Sequence, residues 1–158
     1  MLSLQRTAAT ASLLAVACQA QTAEEIAAYP EYAELFAIQK LTWESVKAHT
    51  ETGFHLTAFH ITGSTETGPF EVTRPAVVMQ HGMGGSAASY LEESMFSPGE
   101  DILMKRLAMM GFDVYMANNS GVKYCQENDF YTVDDEEYWA MDWSTYGVYD
   151  LPALVKVI

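Results

Sequence analysis

The residues most able to do chemistry lie at positions 81–86, which read H-G-M-G-G-S. They directly follow the apolar run A-V-V-M at 76–79, which has the composition of a strand buried on both faces. Glycines at such a place let the backbone turn sharply and direct its N–H groups into a cleft, where they can stabilise an oxyanion during acyl transfer. A strand-to-helix turn with glycines for steric reasons alone would have the same sequence.

Two phosphate-binding interpretations of these glycines are disfavoured. A phosphate loop has the pattern G-x-x-x-x-G-K-[ST], and no lysine stands in the required place. The dinucleotide fingerprint fits residues 82–87 only in its permissive form, with alanine last. It also requires an acidic residue about 20 positions on. Residues 104–112 contain none and Asn118 follows the next predicted strand, so we expect no cofactor.

A nucleophile for acyl transfer is missing from these residues. The G-x-S-x-G pattern that exposes a catalytic serine in α/β-hydrolases does not occur in the 158 residues. Ser86 is the nearest candidate, but it lies within the glycine-rich turn. His81 can serve as a general base only with a nucleophile in hydrogen-bond reach. We therefore expect the His81 side chain to brace the turn.

The remaining histidines and acidic residues predict no metal site. His55 and His60 are five apart on one predicted strand and therefore face opposite sides. With His49, they are predicted to be exposed strand positions. The acidic run D-D-E-E at 134–137 is predicted to be a solvated loop.

Charge and composition restrict the function classes further. The chain has 8 Lys and Arg against 21 Asp and Glu, a net charge of −13, which argues against nucleic-acid partners and anionic membranes. Its length predicts one domain. Two cysteines are too few for a disulfide scaffold, and we expect Cys125 to be buried. No apolar run is long enough for a membrane helix.

Hydrophobic patterns indicate an α/β fold. Residues 43–49 and 54–61 alternate across a glycine-containing turn and predict a β-hairpin. A strand at 76–79, a helical pattern at 102–108 and a strand at 112–117 form a βαβ unit.

Both ends of the chain carry distinct patterns. Residues 1–20 have the layout of a secretory signal peptide, and residues 21–42 predict a loosely helical, mobile lead-in before the domain at 43–158. A last helix is predicted with Asp150 as its N-cap. Its buried stripe would comprise Leu151, Leu154, Val155 and Ile158. It has no C-cap, so by pattern the chain looks cut in mid-element.

Several segments, in the same order, resemble motifs of the acid lipases, the family of gastric and lysosomal lipases. Residues 81–87 resemble H-G-L-x-x-S-A, 107–115 resemble L-A-x-x-G-Y-D-V-W, 137–143 resemble E-F-W-A-F-S-F, and 149–153 resemble Y-D-L-P-A. The hairpin resembles the V-x-T-x-D-G-Y-x-L that opens the family domain. The resemblance runs from about Tyr29 to Ile158.

The resemblance implies an incomplete α/β-hydrolase fold, with an N-terminal hairpin and βαβ units of a mostly parallel sheet, truncated before the nucleophile elbow. It implies a secreted or lysosomal serine hydrolase of lipid esters, in which the backbone N–H of Met83 is one oxyanion donor. The serine, acid and histidine would come later, so we expect the 158-residue chain to be inactive alone. Two alternatives are a non-catalytic secreted fragment that binds lipid or a partner, and an incomplete gene model. The oligomeric state stays open.

One position departs from the family pattern. The family has G-N-x-R-G after the second strand of the βαβ unit, whereas Ser120 stands here in the place of the arginine. Serine cannot form the fork-like hydrogen bonds of arginine, so we expect the loop to pack differently. The change also creates an N-glycosylation pattern at Asn118, which we expect to be unmodified because it lies at a strand end near the site.

Overall fold

The computed structural model describes residues 21–92, 99 and 101–158. The predicted signal peptide at 1–20 lies outside the described residues. Among the described helices, none combines the length and the apolar character that a membrane crossing requires.

A mixed β-sheet forms the centre of the fold. Its strands are β1 (Leu41–His49), β2 (His55–Ser64), β3 (Gly68–Pro69), β4 (Ala76–Gln80) and β5 (Asp113–Ala117). The order is β1-β2-β5-β4, with β3 pairing β2. The β1–β2, β2–β3 and β2–β5 pairs are antiparallel, and the β4–β5 pair is parallel. The hairpin, the βαβ unit and the α/β fold class are thereby confirmed.

Short helices cover the sheet. They are α1 (Ala23–Ala28), α2 (Pro30–Ile38), α3 (Leu103–Met109), α4 (Trp143–Thr145) and α5 (Leu151–Val155), and a π-helical segment, Tyr146–Asp150, joins the last two. Single 3-10 turns occur at Ala87–Tyr90 and Glu137–Trp139.

The two faces of the sheet carry different cores. On one face, Phe59 stacks on Tyr32 at 3.8 Å between ring centroids and contacts Tyr29 and Trp43 edge to face. On the other face, small and aliphatic side chains pack together, namely Leu56, Ala58, Ala117, Cys125 and Leu154. Period-two alternation along β2 separates the two sets. Cys125 is fully buried, as predicted, and burial raises the pKa of its thiol to about 12.

The segment at 21–42 packs as part of the core, which differs from the mobile lead-in expected. Thr22 and Glu25 form a capping box that starts α1. Pro30 opens α2 at a first-turn position, where its missing N–H costs nothing. Tyr32 and Phe36, one turn apart, are buried on the sheet. The segment is held because these aromatic rings complete the core around Phe59.

Strand β4 is less buried than its apolar sequence predicted. Val77, Val78 and Met79 are half-buried, whereas the unalternated run indicated a strand buried on both faces. Among the described strands, only β5 pairs with β4. The strand therefore forms an edge of this sheet.

The last helix, α5, follows Asp150 as predicted, but Asp150 belongs to the preceding π-helical segment and its side chain makes no capping hydrogen bond. Asp142 caps α4 instead, because its carboxylate accepts from the Thr145 N–H. Leu154 is fully buried as expected, but Val155 is 59% exposed. The buried face instead includes Tyr146 and Asp150. Ile158 also packs against the core, as expected. The predicted stripe was wrong for Leu151 and Val155, because the buried carboxylate of Asp150 interrupts the apolar pattern.

Candidate functional site

The parallel pairing of β4 and β5 builds the candidate site. Gln80 lies opposite Ala117 at the carboxyl ends of the two strands. The first residues after the two strands, His81 after β4 and Asn118 after β5, therefore lie side by side at this edge of the sheet. Loops at the carboxyl ends of parallel strands are the usual place for ligands in α/β folds.

The residues after His81 form a tight glycine turn, residues 82–85. The Gly85 N–H donates to the Gly82 carbonyl oxygen at 3.1 Å. Gly84 has a φ of +76°, as the third position of a type II turn requires. Met83 is 49% exposed, and within the described part of the chain its backbone N–H takes no hydrogen bond and no part in sheet pairing. The turn thus presents a free donor.

The His81 side chain holds this turn to the neighbouring loop. Its Nε2 accepts from the Asn119 backbone N–H at 3.2 Å. Nδ1 therefore carries the proton and donates to the Gly82 carbonyl at 2.7 Å. The Asn119 side-chain amide in turn donates to the His81 carbonyl at 3.0 Å. With both ring nitrogens engaged, His81 braces the turn and does not serve as a general base.

Asn118 links three elements beneath the site. Its Oδ1 accepts from the Tyr32 hydroxyl at 3.2 Å and from the Ala87 N–H at 2.9 Å, and its Nδ2 donates to the Thr57 carbonyl at 3.3 Å. The side chain is fully buried. A glycan on this amide is incompatible with the folded structure, in line with the expectation that Asn118 is unmodified.

Ser120 pairs with Asp150 where the resemblance would place an arginine. Its N–H and its hydroxyl each donate to one carboxylate oxygen at 2.7 Å. Asp150 is fully buried, and within the described residues no lysine or arginine forms an ion pair with it. Burial raises the pKa of Asp150, and the two bonds from Ser120 offset this only in part. Two hydrogen bonds from Ser120 thus satisfy this carboxylate.

Ser86 makes no hydrogen bond to a basic side chain within the described residues. Its hydroxyl contacts the Tyr32 hydroxyl, and its carbonyl accepts from the Ser89 N–H at 3.2 Å. Within the described structure it makes no hydrogen bond to His81. This arrangement agrees with a structural role for Ser86.

The surroundings of the glycine turn are partly apolar. A methyl group added to Gly82 would lie 3.6 Å from the exposed Trp143 ring. A separate cavity of about 470 Å³, with Leu35 and Lys105 among its lining residues, does not include the turn. The turn therefore opens beside an aromatic surface.

The other residues considered as candidates, the histidines of the hairpin and the acidic run at 134–137, lie outside the glycine turn. His60 lies on the face opposite to His55, as predicted, but it is not the exposed position expected: it bonds to Asp113 and Glu44 and its side chain is only 16% exposed. The acidic residues at 134–137 are exposed, as expected. Sequence reasoning missed that His49 and His55 meet Asp129, which is 74 positions from His55 in the chain.

Comparisons with known proteins agree with this architecture. Residues 32–94 match the family described as the partial alpha/beta-hydrolase lipase region. Over 115 residues, 73% of the chain, it is 30% identical to the gastric triacylglycerol lipase of Bos taurus. It is 28% identical over 131 residues to lipase member M and 32% identical over 119 residues to lipase member N, both of Homo sapiens. The resemblance to the acid lipases is confirmed.

The chain spans only part of these acid lipases. It covers 28% of the bovine gastric lipase and 30% of human lipase member M. The glycine turn, at 82–85, falls inside the region that matches the lipase family.

Alanine at two glycines of this acid-lipase-type turn tests its backbone geometry. Gly84→Ala should lower the free energy of unfolding by about 1 kcal/mol, because a side chain is strained at this positive φ. Gly82→Ala should change it by less than about 0.5 kcal/mol, because Gly82 needs no special φ and has room for a methyl group. Chemical denaturation measures both. Equal stabilities of the two variants would contradict the turn.

Replacing Asp150 tests the buried carboxylate. Folding raises the pKa of Asp150. The stabilisation that comes from its protonated form is therefore fully present below the pKa of aspartate in the unfolded chain, near 3.9. It is lost as pH rises through the pKa of Asp150 in the folded chain. Asp150→Asn should remove this pH-dependent loss of stability, because asparagine does not titrate. The stability of the wild-type chain relative to the variant should therefore fall as pH rises through this window.

Denaturant midpoints across this pH range provide the measurement. Ser120→Ala is the matched variant: it removes one bond that lowers the pKa of Asp150, so its loss of stability should be larger and should extend to higher pH than in the wild-type chain. Parallel profiles for the wild-type chain and Asp150→Asn would show that Asp150 does not titrate as described.

Proposed function

We propose that this chain supplies the oxyanion-binding part of a serine hydrolase that acts on lipid esters, with the Met83 backbone N–H as one oxyanion donor. The single observation that carries the proposal is the free N–H in a hydrogen-bonded turn at the carboxyl end of β4. Its place within the lipase-family match supports the assignment.

The proposed chemistry is stabilisation of charge. When a serine attacks an ester carbonyl, the carbonyl oxygen becomes an anion in the tetrahedral intermediate. A donor that is already in place, with no partner to give up, stabilises this anion without reorganisation. The His81 bonds to Gly82 and Asn119 hold the turn in position for that role.

The attacking serine is proposed to come from a longer product. The 158 residues contain no G-x-S-x-G, and within the described residues Ser86 makes no hydrogen bond to a base. The chain by itself should therefore release no burst of nitrophenol from a short-chain nitrophenyl ester. The transcript beyond the codon of Ile158 should encode a G-x-S-x-G. A burst from the 158-residue chain would contradict the proposed division of the site.

Met83→Pro tests the donor in that longer product. Proline is favoured at the second position of a type II turn, so the variant keeps the turn while it removes the N–H. We expect kcat to fall by about 10²–10³-fold. Met83→Ala keeps the N–H and should retain most of the activity. Full activity of Met83→Pro would exclude this N–H as a donor.

A secreted or lysosomal location is part of the proposal. It is supported by the signal-peptide layout of residues 1–20 and by the similarity to a gastric lipase. Mass spectrometry of the protein from a eukaryotic secretory host should find the mature N-terminus after Ala17 or Ala20. An intact Met1 in that product would contradict a cleaved signal.

A non-catalytic lipid- or partner-binding product is the second candidate. The observation that favours it is a set of exposed apolar side chains from α4 to α5: Trp143, Val148 and Val155 are each about 60% exposed. A transcript with no further coding sequence after Ile158 would favour this candidate over the hydrolase.

A further inference from the structure

The turn end of the β-hairpin brings two histidines together. His49 ends β1 and His55 begins β2, and the two residues are direct cross-strand partners. Their rings lie on the same face, with centroids 4.7 Å apart. The tight turn between them, with Gly53 at a φ of +85°, fixes this register.

A carboxylate from a distant loop completes the group. Asp129 Oδ2 lies 2.7 Å from His49 Nε2, and Asp129 Oδ1 lies 2.8 Å from His55 Nε2. The backbone positions this loop independently of the histidine rings: the Asp129 N–H donates to the Gly53 carbonyl, and the His55 N–H donates to the Glu127 carbonyl, both at 3.0 Å. The carboxylate is therefore aimed at both rings by main-chain bonds.

We propose that His49, His55 and Asp129 form a binding site for a divalent transition-metal ion of the Zn²⁺ class. One ligand atom from each residue lies within 4.8 Å of the others. Zinc bonds to histidine nitrogen and carboxylate oxygen are about 2.0–2.2 Å, so neighbouring ligands in a tetrahedral site are roughly 3.3 Å apart. The observed nitrogen–oxygen distances need to widen by about 0.5 Å, which small side-chain rotations allow.

The surroundings suit an ion that arrives from solvent. The three side chains are between 41% and 55% exposed, so a metal can enter and water can take the remaining coordination position. The net charge of −13 attracts cations to the chain as a whole.

His60 provides a matched control within the same strand. Its two ring nitrogens bond to Glu44 at 2.7 Å and Asp113 at 2.6 Å, and it stacks on Tyr115 on the opposite face of the sheet. It is not part of the group that can hold a metal. The site is independent of the proposed hydrolase function, because none of its residues belongs to the glycine turn.

Calorimetric titration of the purified full chain with ZnCl₂ tests the site. We expect one ion per chain. His49→Gln, His55→Gln and Asp129→Asn should each weaken the affinity at least about tenfold, since even outer-shell changes cost that much. His60→Gln should bind as the wild-type chain does. Co²⁺ gives a second readout that does not depend on stability, because its visible absorption reports coordination by the protein and should be lost in the ligand variants.

Several results would overturn the site. One is the absence of saturable Zn²⁺ binding by the wild-type chain, and another is binding of Zn²⁺ by the ligand variants as tightly as by the wild-type chain. Loss of Zn²⁺ binding in His60→Gln would also contradict the site. Circular dichroism of each variant without metal separates a lost ligand from a lost fold. His49→Gln is the most informative variant in this respect, because it leaves the main-chain bonds that hold Asp129 intact.

Discussion

The parallel pairing of β4 with β5 is the constraint on which the candidate site depends. Its register sets Gln80 opposite Ala117, so the next residues of both strands leave the sheet side by side. Only then can His81 accept from the Asn119 N–H and hold the glycine turn. A shift of one residue would move every side chain of β4 to the other face of the sheet and separate these groups.

Buried polar groups form the support behind that pairing. Asn118, Ser120 and Asp150 are all buried, yet each has hydrogen-bond partners, and among the described residues no buried side-chain nitrogen or oxygen lacks one. A buried polar group without a partner lowers the stability of the fold, because its lost hydrogen bonds to water are not replaced. When every such group is paired, the hydrogen bonds favour one arrangement of the core. This explains how the loop after β5 buries Ser120 and Asp150 together. The N–H and the hydroxyl of Ser120 each donate a hydrogen bond to the Asp150 carboxylate.

Local patterns were sufficient for much of the fold. Alternation over the hairpin and the strand–glycine–helix–strand order predicted the elements that the structure contains. Two errors have a common physical origin. The N-terminal helices join the core through Tyr32 and Phe36, and the last helix buries Asp150, because partners distant in sequence cover them. Neither an aromatic stripe nor a lone carboxylate reveals such a partner by itself.

The sequence by itself determined the β-hairpin, the βαβ unit, the glycine turn and the resemblance to the acid lipases, since each rests on residues close together in the chain. Only the tertiary structure decided that Ser120 meets Asp150 and that Asp129 meets His49 and His55. Those contacts depend on strand register and on the path of long loops. Both are set by the whole packed chain, and no short-range periodicity encodes them.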